Sequence, residues 1–448
     1  MKILVINGSP KGEYSITLQT VRYLEKKYPQ HTFTVLHAGQ RIASMEKDFT
    51  PVKAAMEAAD LLLFSYPVYT FIAPCQLHKL IELMKTHGVN VAGKYATQIT
   101  TSKHFYDVTA HRYIQDNCEE MGLRVLRGLS ADMDDLLAER GQQEACAFFE
   151  RVLHDMQRGY CEPRRLVHVP YTPAAATVPG EPGDGKTGDV VIVADLDEGS
   201  DALAAMIARF RAVLPYKTRV VNLREFPFRG GCLGCFNCAT DGVCVYKDGF
   251  DTFLRETIQS GQAIIYAFTV RDHSMGARFK MYDDRQFCNG HRTVTMGMPM
   301  GYLVSGCLSA EENLRTIIEA RAQVGGNTLC GTATDEHDTD AQIDQLADSL
   351  AYALEHKYAQ PQNFYGVGGM KIFRDLIYQM QGMMKADHRF YKAHGQYDFP
   401  QKKKGLVIKM YLVGLLLSSR KIRARMGNAM NEGMLAPYKK VIDACGKE

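Results

Sequence analysis

No stretch of the 448-residue chain reaches the roughly 20 consecutive apolar residues that a membrane-spanning helix needs. The opening Met1-Lys-Ile-Leu-Val-Ile-Asn-Gly is too short an apolar run for a secretory signal and lacks a cleavage site, so a strand is expected there. A net charge of only +3 names no partner. G-x-G-x-x-G, Walker and nicotinamide-binding fingerprints are missing, and no recognised nucleic-acid module is present, so nucleic-acid binding is not expected. With 12 cysteines and no export signal expected, a cytoplasmic chain of free thiols fits better than a disulfide scaffold. What remains is an ordinary globular composition, 46% hydrophobic and 23% charged, long enough for two or three domains.

The most specific feature is Cys232-Leu-Gly-Cys235-Phe-Asn-Cys238, followed after five residues by Cys244. Gly231, Gly234 and Gly242 give the backbone freedom to turn so that the sulfurs can converge. A thiolate cage of this kind suits an iron–sulfur cluster. Structural zinc more often uses two Cys pairs on a longer arm. Unmetallated thiols are the remaining alternative.

Residues 1–160 alternate short apolar runs with amphipathic segments. Strands are expected at 2–7, 32–37, 60–65, 95–101 and 123–128, and helices at 15–28, 51–58, 75–85, 108–121 and ending near 156. Five β/α units imply a doubly wound parallel sheet, which binds ligands at the carboxyl ends of its strands. After the first strand comes Asn7-Gly-Ser-Pro-Lys-Gly-Glu-Tyr-Ser-Ile-Thr17. Its amides and the hydroxyls of Ser9, Ser15 and Thr17 could encircle a phosphate monoester at a helix N-terminus. A tight turn with Ser15 as N-cap is the plainer alternative. After the third strand, Ser65-Tyr-Pro67-Val68-Tyr69-Thr-Phe-Ile-Ala-Pro74 is stiff and aromatic, which suits a flat heteroaromatic ring. Thr100, Thr101 and Ser102 add small polar groups at the same edge.

Residues 161–188 carry five prolines and four glycines without periodicity and read as a linker. The pattern restarts over 189–360, with strands expected at 189–194, 218–223, 262–268, 301–305 and 327–331 and helices at 200–213 and 250–259. This is an internal duplication whose two copies differ. The second has the cysteines, but its first loop contains Asp195, Asp197 and Glu198, which would repel a phosphate dianion. Thr269-Val-Arg271 replaces Pro67-Val-Tyr69.

The loop Gly-Ser-Pro10-Lys11 with Ser15 and Thr17, followed by Pro-Val-Tyr, resembles the NADPH-dependent FMN reductase family of the flavodoxin-like superfamily. The cysteine segment resembles the iron–sulfur flavoproteins of the same superfamily. The resemblance implies FMN, with its phosphate at Ser9, Lys11, Ser15 and Thr17 and its ring against Pro67, Val68 and Tyr69. Lys280 and Asp284-Arg285 of the second copy are family-like as well, so the resemblance leaves a second flavin open. It also implies NAD(P)H as electron donor and a 4Fe-4S cluster on Cys232, Cys235, Cys238 and Cys244. The fold expected is two flavodoxin-like three-layer α/β/α sheets plus a helical C-terminal extension. No side chain need act as nucleophile. The expected activity passes electrons from NAD(P)H through FMN and the cluster to an unknown acceptor. A direct two-electron reductase of quinone, azo or nitro compounds with structural cysteines is the second possibility. A non-enzymatic flavodoxin-like carrier is the third. A homo-oligomer is expected, with a redox partner or small-molecule acceptor.

The tail, 361–448, holds 16 Lys+Arg against 6 Asp+Glu, whereas the remainder holds 37 against 44. One helix is expected over 364–392, with a Met-rich stripe that suits packing. Asp387, His388 and His394 lack the i, i+4 geometry of a helical metal site, and surface or capping roles are expected. Residues 401–425 place a short apolar helix between basic clusters. It either packs on protein, which is the favoured expectation, or makes peripheral contact with an anionic membrane.

Overall fold

The computed structural model describes residues 1–167, 169–179, 186–421 and 429–445. The first strands are β1 (Lys2–Asn7), β2 (Thr32–Leu36), β3 (Leu61–Pro67), β4 (Tyr95–Ser102), β5 (Arg124–Val125) and β6 (Leu129–Asp132). They form one parallel sheet in the order β2-β1-β3-β4-β5, with β6 also on β4. The second sheet holds β7 (Thr187–Ala194), β8 (Tyr216–Asn222), β9 (Ala263–Thr269), β10 (Pro299–Ser305) and β11 (Thr328–Thr334). Its order is β11-β10-β9-β7-β8, also parallel, which read from the other edge repeats the first sheet. Central strands such as β3 are buried almost throughout, which is why they read as continuous apolar runs rather than alternating ones.

The first sheet is flanked by α1 (Ile16–Lys27), α2 (Ala38–Met45), α3 (Thr50–Ala58), α4 (Cys75–Thr86), α5 (Asp107–Glu120) and α6 (Glu139–Arg158). Ser15 caps α1, its hydroxyl accepting the Leu18 N–H at 3.4 Å, and Leu18, Val21 and Leu24 bury the inner face. The second sheet carries α7 (Asp201–Val213), the single turn α8 (Phe250–Thr252), α9 (Gly276–Arg285), α10 (Glu312–Gly325) and α11 (Thr339–His356).

α4 packs on α9 and α5 on α10, so equivalent helices of the two copies face each other as they would across a two-fold dimer. The largest core runs through this seam, from Leu80 and Ile81 on α4 to Phe279 and Tyr282 on α9. Two further cores, around Phe149 and Phe210, lie on the outer faces of the two sheets. The connecting segment is tied down at several of its described residues. Arg165 and Leu166 N–H donate to Glu119 at 2.9 and 2.8 Å, and the Tyr171 hydroxyl donates to Asp335 at 2.6 Å.

By internal contacts the chain divides into two units, Met1–Phe390 and Tyr391–Glu448. The first includes both sheets and α12 (Phe364–Gln379), which packs on α10. α13 (Lys385–Ala393) follows, and the second unit adds α14 (Lys404–Leu417) and a last helix, Ala429–Cys445.

Three local expectations change. The strand expected at 123–128 is two short pieces, β5 and β6. The helix expected at 364–392 breaks at Met380, where Met383 and Met384 N–H both turn back to the Met380 carbonyl and Gly382 occupies the bend. The helix expected at 250–259 becomes a π-helix from Phe253 to Ile258, which buries both Leu254 and Ile258.

Candidate functional site

The loop after β1 is held from several sides. Asn7 Nδ2 donates to the Gly12 carbonyl at 2.9 Å, and Lys11 N–H donates to Ser9 Oγ at 3.3 Å. α2 closes the loop from outside. A Cβ on Gly39 would lie 2.3 Å from the Gly8 carbonyl oxygen, so only glycine allows that approach. Ser9, Ser15 and Thr17 are buried, and the Thr17 and Thr101 hydroxyls meet at 2.5 Å. These hydroxyls gather at the N-terminus of α1, where the helix dipole favours an anion.

The loop after β3 is strained. Thr70 and Phe71 have φ of 39° and 76°, and the Tyr69 and Ile72 backbones bond each other at 2.8 and 3.2 Å. Residues of the second copy hold that geometry in place. Lys280 Nζ, fully buried, donates to the Tyr69 carbonyl at 2.9 Å and pairs with Asp284 and, at 3.3 Å, Asp283. Burial lowers the Lys280 pKa, and the Asp284 carboxylate opposes that. Asp284 also accepts the Thr70 hydroxyl at 2.6 Å and the Cys75 N–H at 2.7 Å. Lys280 and Asp284, read in sequence as hinting at a second flavin, therefore serve the loop of the first copy.

The cysteine loop docks onto that same corner. Gln76 Nε2 donates to the Cys232 carbonyl at 3.2 Å. A Cβ on Gly231 would lie 2.1 Å from Cys75 Sγ, and one on Gly234 would lie 1.9 Å from Tyr69 Oη. Both close approaches are open only to glycine, and Gly234 also turns through φ +61°. Tyr246 Oη donates to the Gly231 carbonyl at 3.2 Å, and Arg285 clamps Gly230 and Asp248 at 2.8–2.9 Å. Lys11 of the first loop sits 5.2 Å over the Phe236 ring. The two loops and the cysteines thus line one cavity of about 420 Å³.

Of the residues expected at the site, Ser9, Lys11, Ser15, Thr17, Pro67, Val68, Tyr69, Thr101, Ser102, Cys232, Cys235, Cys238 and Cys244 line this cavity. Pro10 is not among the lining residues, and the Thr100 hydroxyl instead meets His111 Nε2 at 2.8 Å. Lys103 also lines the cavity but is bound to Asp132 and Asp134 at 2.7 and 3.0 Å. The far wall contains Phe373, Met380 and Met384, so the Met-rich stripe faces the cavity as well as the core. Phe373 stacks on Phe105 at 4.3 Å. Asp387 is buried beside Arg292 and His291, both at 3.4 Å. The role of Gln76 left no signal in the sequence, and Phe373 carried only the helical spacing of the Met-rich stripe. For the Cys75 approach the one signal was a glycine directly before Cys232.

Burial pushes the Cys232 thiol well above its usual range and Cys238 up to about 11, so both are neutral thiols without a metal. Cys238 Sγ donates to the Phe287 carbonyl at 3.2 Å. Among the described residues, no group of three or more His, Cys, Asp or Glu side chains is arranged to hold a metal ion. At the equivalent first loop of the second copy, Asp195 pairs with Arg224 at 2.7 Å and Asp197 with Arg224 and Arg271. Arginines thus close the loop whose acidity was expected to repel phosphate.

Residues 1–131 match the family model described as NADPH-dependent FMN reductase, in agreement with the resemblance read from the first two loops. An iron-sulfur flavoprotein of Archaeoglobus fulgidus is 28% identical over 175 residues, covering 37% of this chain and 78% of that protein. Among solved structures, an FMN-dependent NADH-azoreductase from Bacillus anthracis is 13% identical over 34% of this chain and 98% of its own, with a TM-score of 0.27. An NAD(P)H:quinone oxidoreductase from Methanothermobacter marburgensis is 11% identical over 38% of this chain and 99% of its own, with a TM-score of 0.28.

Proposed function

We propose that the chain is an NAD(P)H-dependent FMN oxidoreductase. In it the first copy binds the flavin and the cysteines of the second copy hold a 4Fe-4S cluster beside it. One observation carries this reading: Tyr69 of the ring-binding loop and Gly234 of the cysteine loop are in contact, on the wall of a single cavity. The match over residues 1–131 supports FMN and the nicotinamide donor.

The residues present fit FMN. Buried hydroxyls on Ser9, Ser15 and Thr17 gather at the end of a 12-residue helix, where a phosphate monoester would be bound. Pro67, Val68 and Tyr69 would flank the ring, and the Lys280–Asp284 pair fixes that wall before anything binds. The four cysteines fit a cluster in donor type and in sharing one wall. Cys232 and Cys238, whose thiols burial keeps protonated, would release protons on binding iron. When bound, FMN takes two electrons as hydride and gives them up singly, and a cluster carries one at a time. Tyr69 and Phe287 meet edge-on at 5.7 Å on the wall of this cavity. The acceptor is a redox partner or a small molecule, and the chain acts in the cytoplasm as a homo-oligomer. Among the described residues no helix is long and apolar enough to cross a membrane.

The test is anaerobic purification with iron, sulfide, zinc and FMN measured per chain. About four irons, matching sulfide and one FMN are expected. FMN without iron or sulfide would leave a direct two-electron reductase with structural cysteines. Zinc would make the Cys232 loop structural. Reduction of the flavin only by a protein donor, with NAD(P)H inert, would leave an electron carrier.

A further inference from the structure

We propose that α14 docks the protein on an anionic lipid surface. This inference does not depend on the flavin reading. α14 contains two charges, Lys404 at its first position and Lys409 among Leu406, Val407, Ile408, Leu412 and Leu416, and all of these side chains are exposed. Consecutive residues are about 100° apart around a helix, so Leu406 to Ile408 alone make three sides apolar. A helix apolar on every side is stable where something apolar covers it.

Charge identifies the cover. Lys403 and Lys404 precede the apolar run, Arg420 and Lys421 follow it, and all four are exposed. No carboxylate lies between Asp398 and Glu432. Two copies of this segment side by side would bring like charges together, which disfavours a second copy as the partner. Nucleic acid would meet the cations but leave the leucines in water. An anionic bilayer satisfies both, with headgroups taking the cations and acyl chains the apolar sides. The 14 residues extend about 21 Å, short of the roughly 30 Å hydrocarbon core, so the helix lies in the interface rather than across it. Lys409 reaches the headgroups from mid-helix by extending its apolar stem.

The test is co-sedimentation of the full-length protein with phosphatidylcholine vesicles, with and without phosphatidylglycerol. Binding is expected only with phosphatidylglycerol and should fall as salt is raised. Replacing Lys403, Lys404 and Lys409 by Gln should weaken it on the order of a hundredfold. Leu412→Asp should abolish it. Both variants alter exposed side chains and should melt at the wild-type temperature. If either melts early, the salt titration of the native chain provides the same readout. Equal binding to neutral and anionic vesicles overturns the proposal, as does binding to neither. So does a concentration-dependent dimer that Leu412→Asp dissolves.

Discussion

The Asp284 carboxylate accepts the Cys75 N–H at 2.7 Å, and its counterpart Glu82 accepts the Ala277 N–H at 2.8 Å. Residues 75 and 277 lie at the starts of equivalent helices, and 82 and 284 lie towards the ends of those helices. Each copy thus caps the other's helix. The neighbouring pair repeats the exchange: Lys280 donates to the Thr70 hydroxyl at 2.5 Å, and His78 Nδ1 lies 2.6 Å from Asp272. The seam is a two-fold interface in which the equivalent side chains have diverged.

Asp284→Ala removes a helix cap and leaves Lys280 short of its closest counter-ion in the core. Stability should fall by about 3–5 kcal/mol, as when a buried pair loses one partner. Glu82→Gln, at a site where the side chain is 26% exposed, should cost about 1 kcal/mol. Urea denaturation measures both, and equal losses would mean the seam is not anchored at Lys280.

Gly231→Ala would set a methyl against Cys75 Sγ and push the cysteine loop off α4. Iron incorporation should fall several-fold while FMN content holds. Gly199→Ala, where the nearest atom would be 3.8 Å away, is the matched control and should change neither. Loss of FMN together with iron in Gly231→Ala would show general unfolding instead.

Thr17→Val removes a buried hydroxyl from the α1 end of the loop proposed to hold the FMN phosphate. Hydrogen bonds to charged groups contribute about 1.5–3 kcal/mol, so FMN should bind about ten- to a hundredfold more weakly. Fluorescence titration of the apoprotein measures this. A change under about twofold would move the phosphate away from α1.

His273 sets a pH dependence. Burial works against its charge, but Glu120 at 3.2 Å and Glu311 at 2.9 Å hold it up to about 9, from the usual 6.5. Glu120 in turn is held at about 2, chiefly by the His273 hydrogen bond. A raised folded-state pKa stabilises fully below pH 6.5, and that contribution is lost as pH rises through 9. It should be on the order of 2 kcal/mol, allowing for solvent screening at Glu120. Melting temperature should fall between neutral pH and pH 9.5 in the wild type and stay flatter in His273→Gln.

Both sheets and both loops of the first copy were legible because they rest on local signals, namely apolar runs, hydroxyls beside a helix start and prolines around Tyr69. What joins the two copies was not. Gln76 reaches Cys232 across 156 residues of sequence, and nothing local to either marks the other. Lys280 and Asp284 look the same in sequence whether they serve their own copy or its neighbour. The methionines at 380 and 384 carry helical spacing for any apolar environment, so a cavity wall and a core read alike. The break between α12 and α13 was hidden for the same reason, since Gly382 alone does not outweigh the surrounding periodicity.

The linker between the copies has a consequence beyond holding them together. A site assembled from two chains falls apart on dilution and forces every substitution to appear twice. Here the partners stay in a fixed one-to-one ratio at a local concentration set by the tether. Each copy was therefore free to drift alone. Asp195 and its arginines could close the first loop of one copy while its counterpart stayed open, a division of labour that identical subunits cannot make.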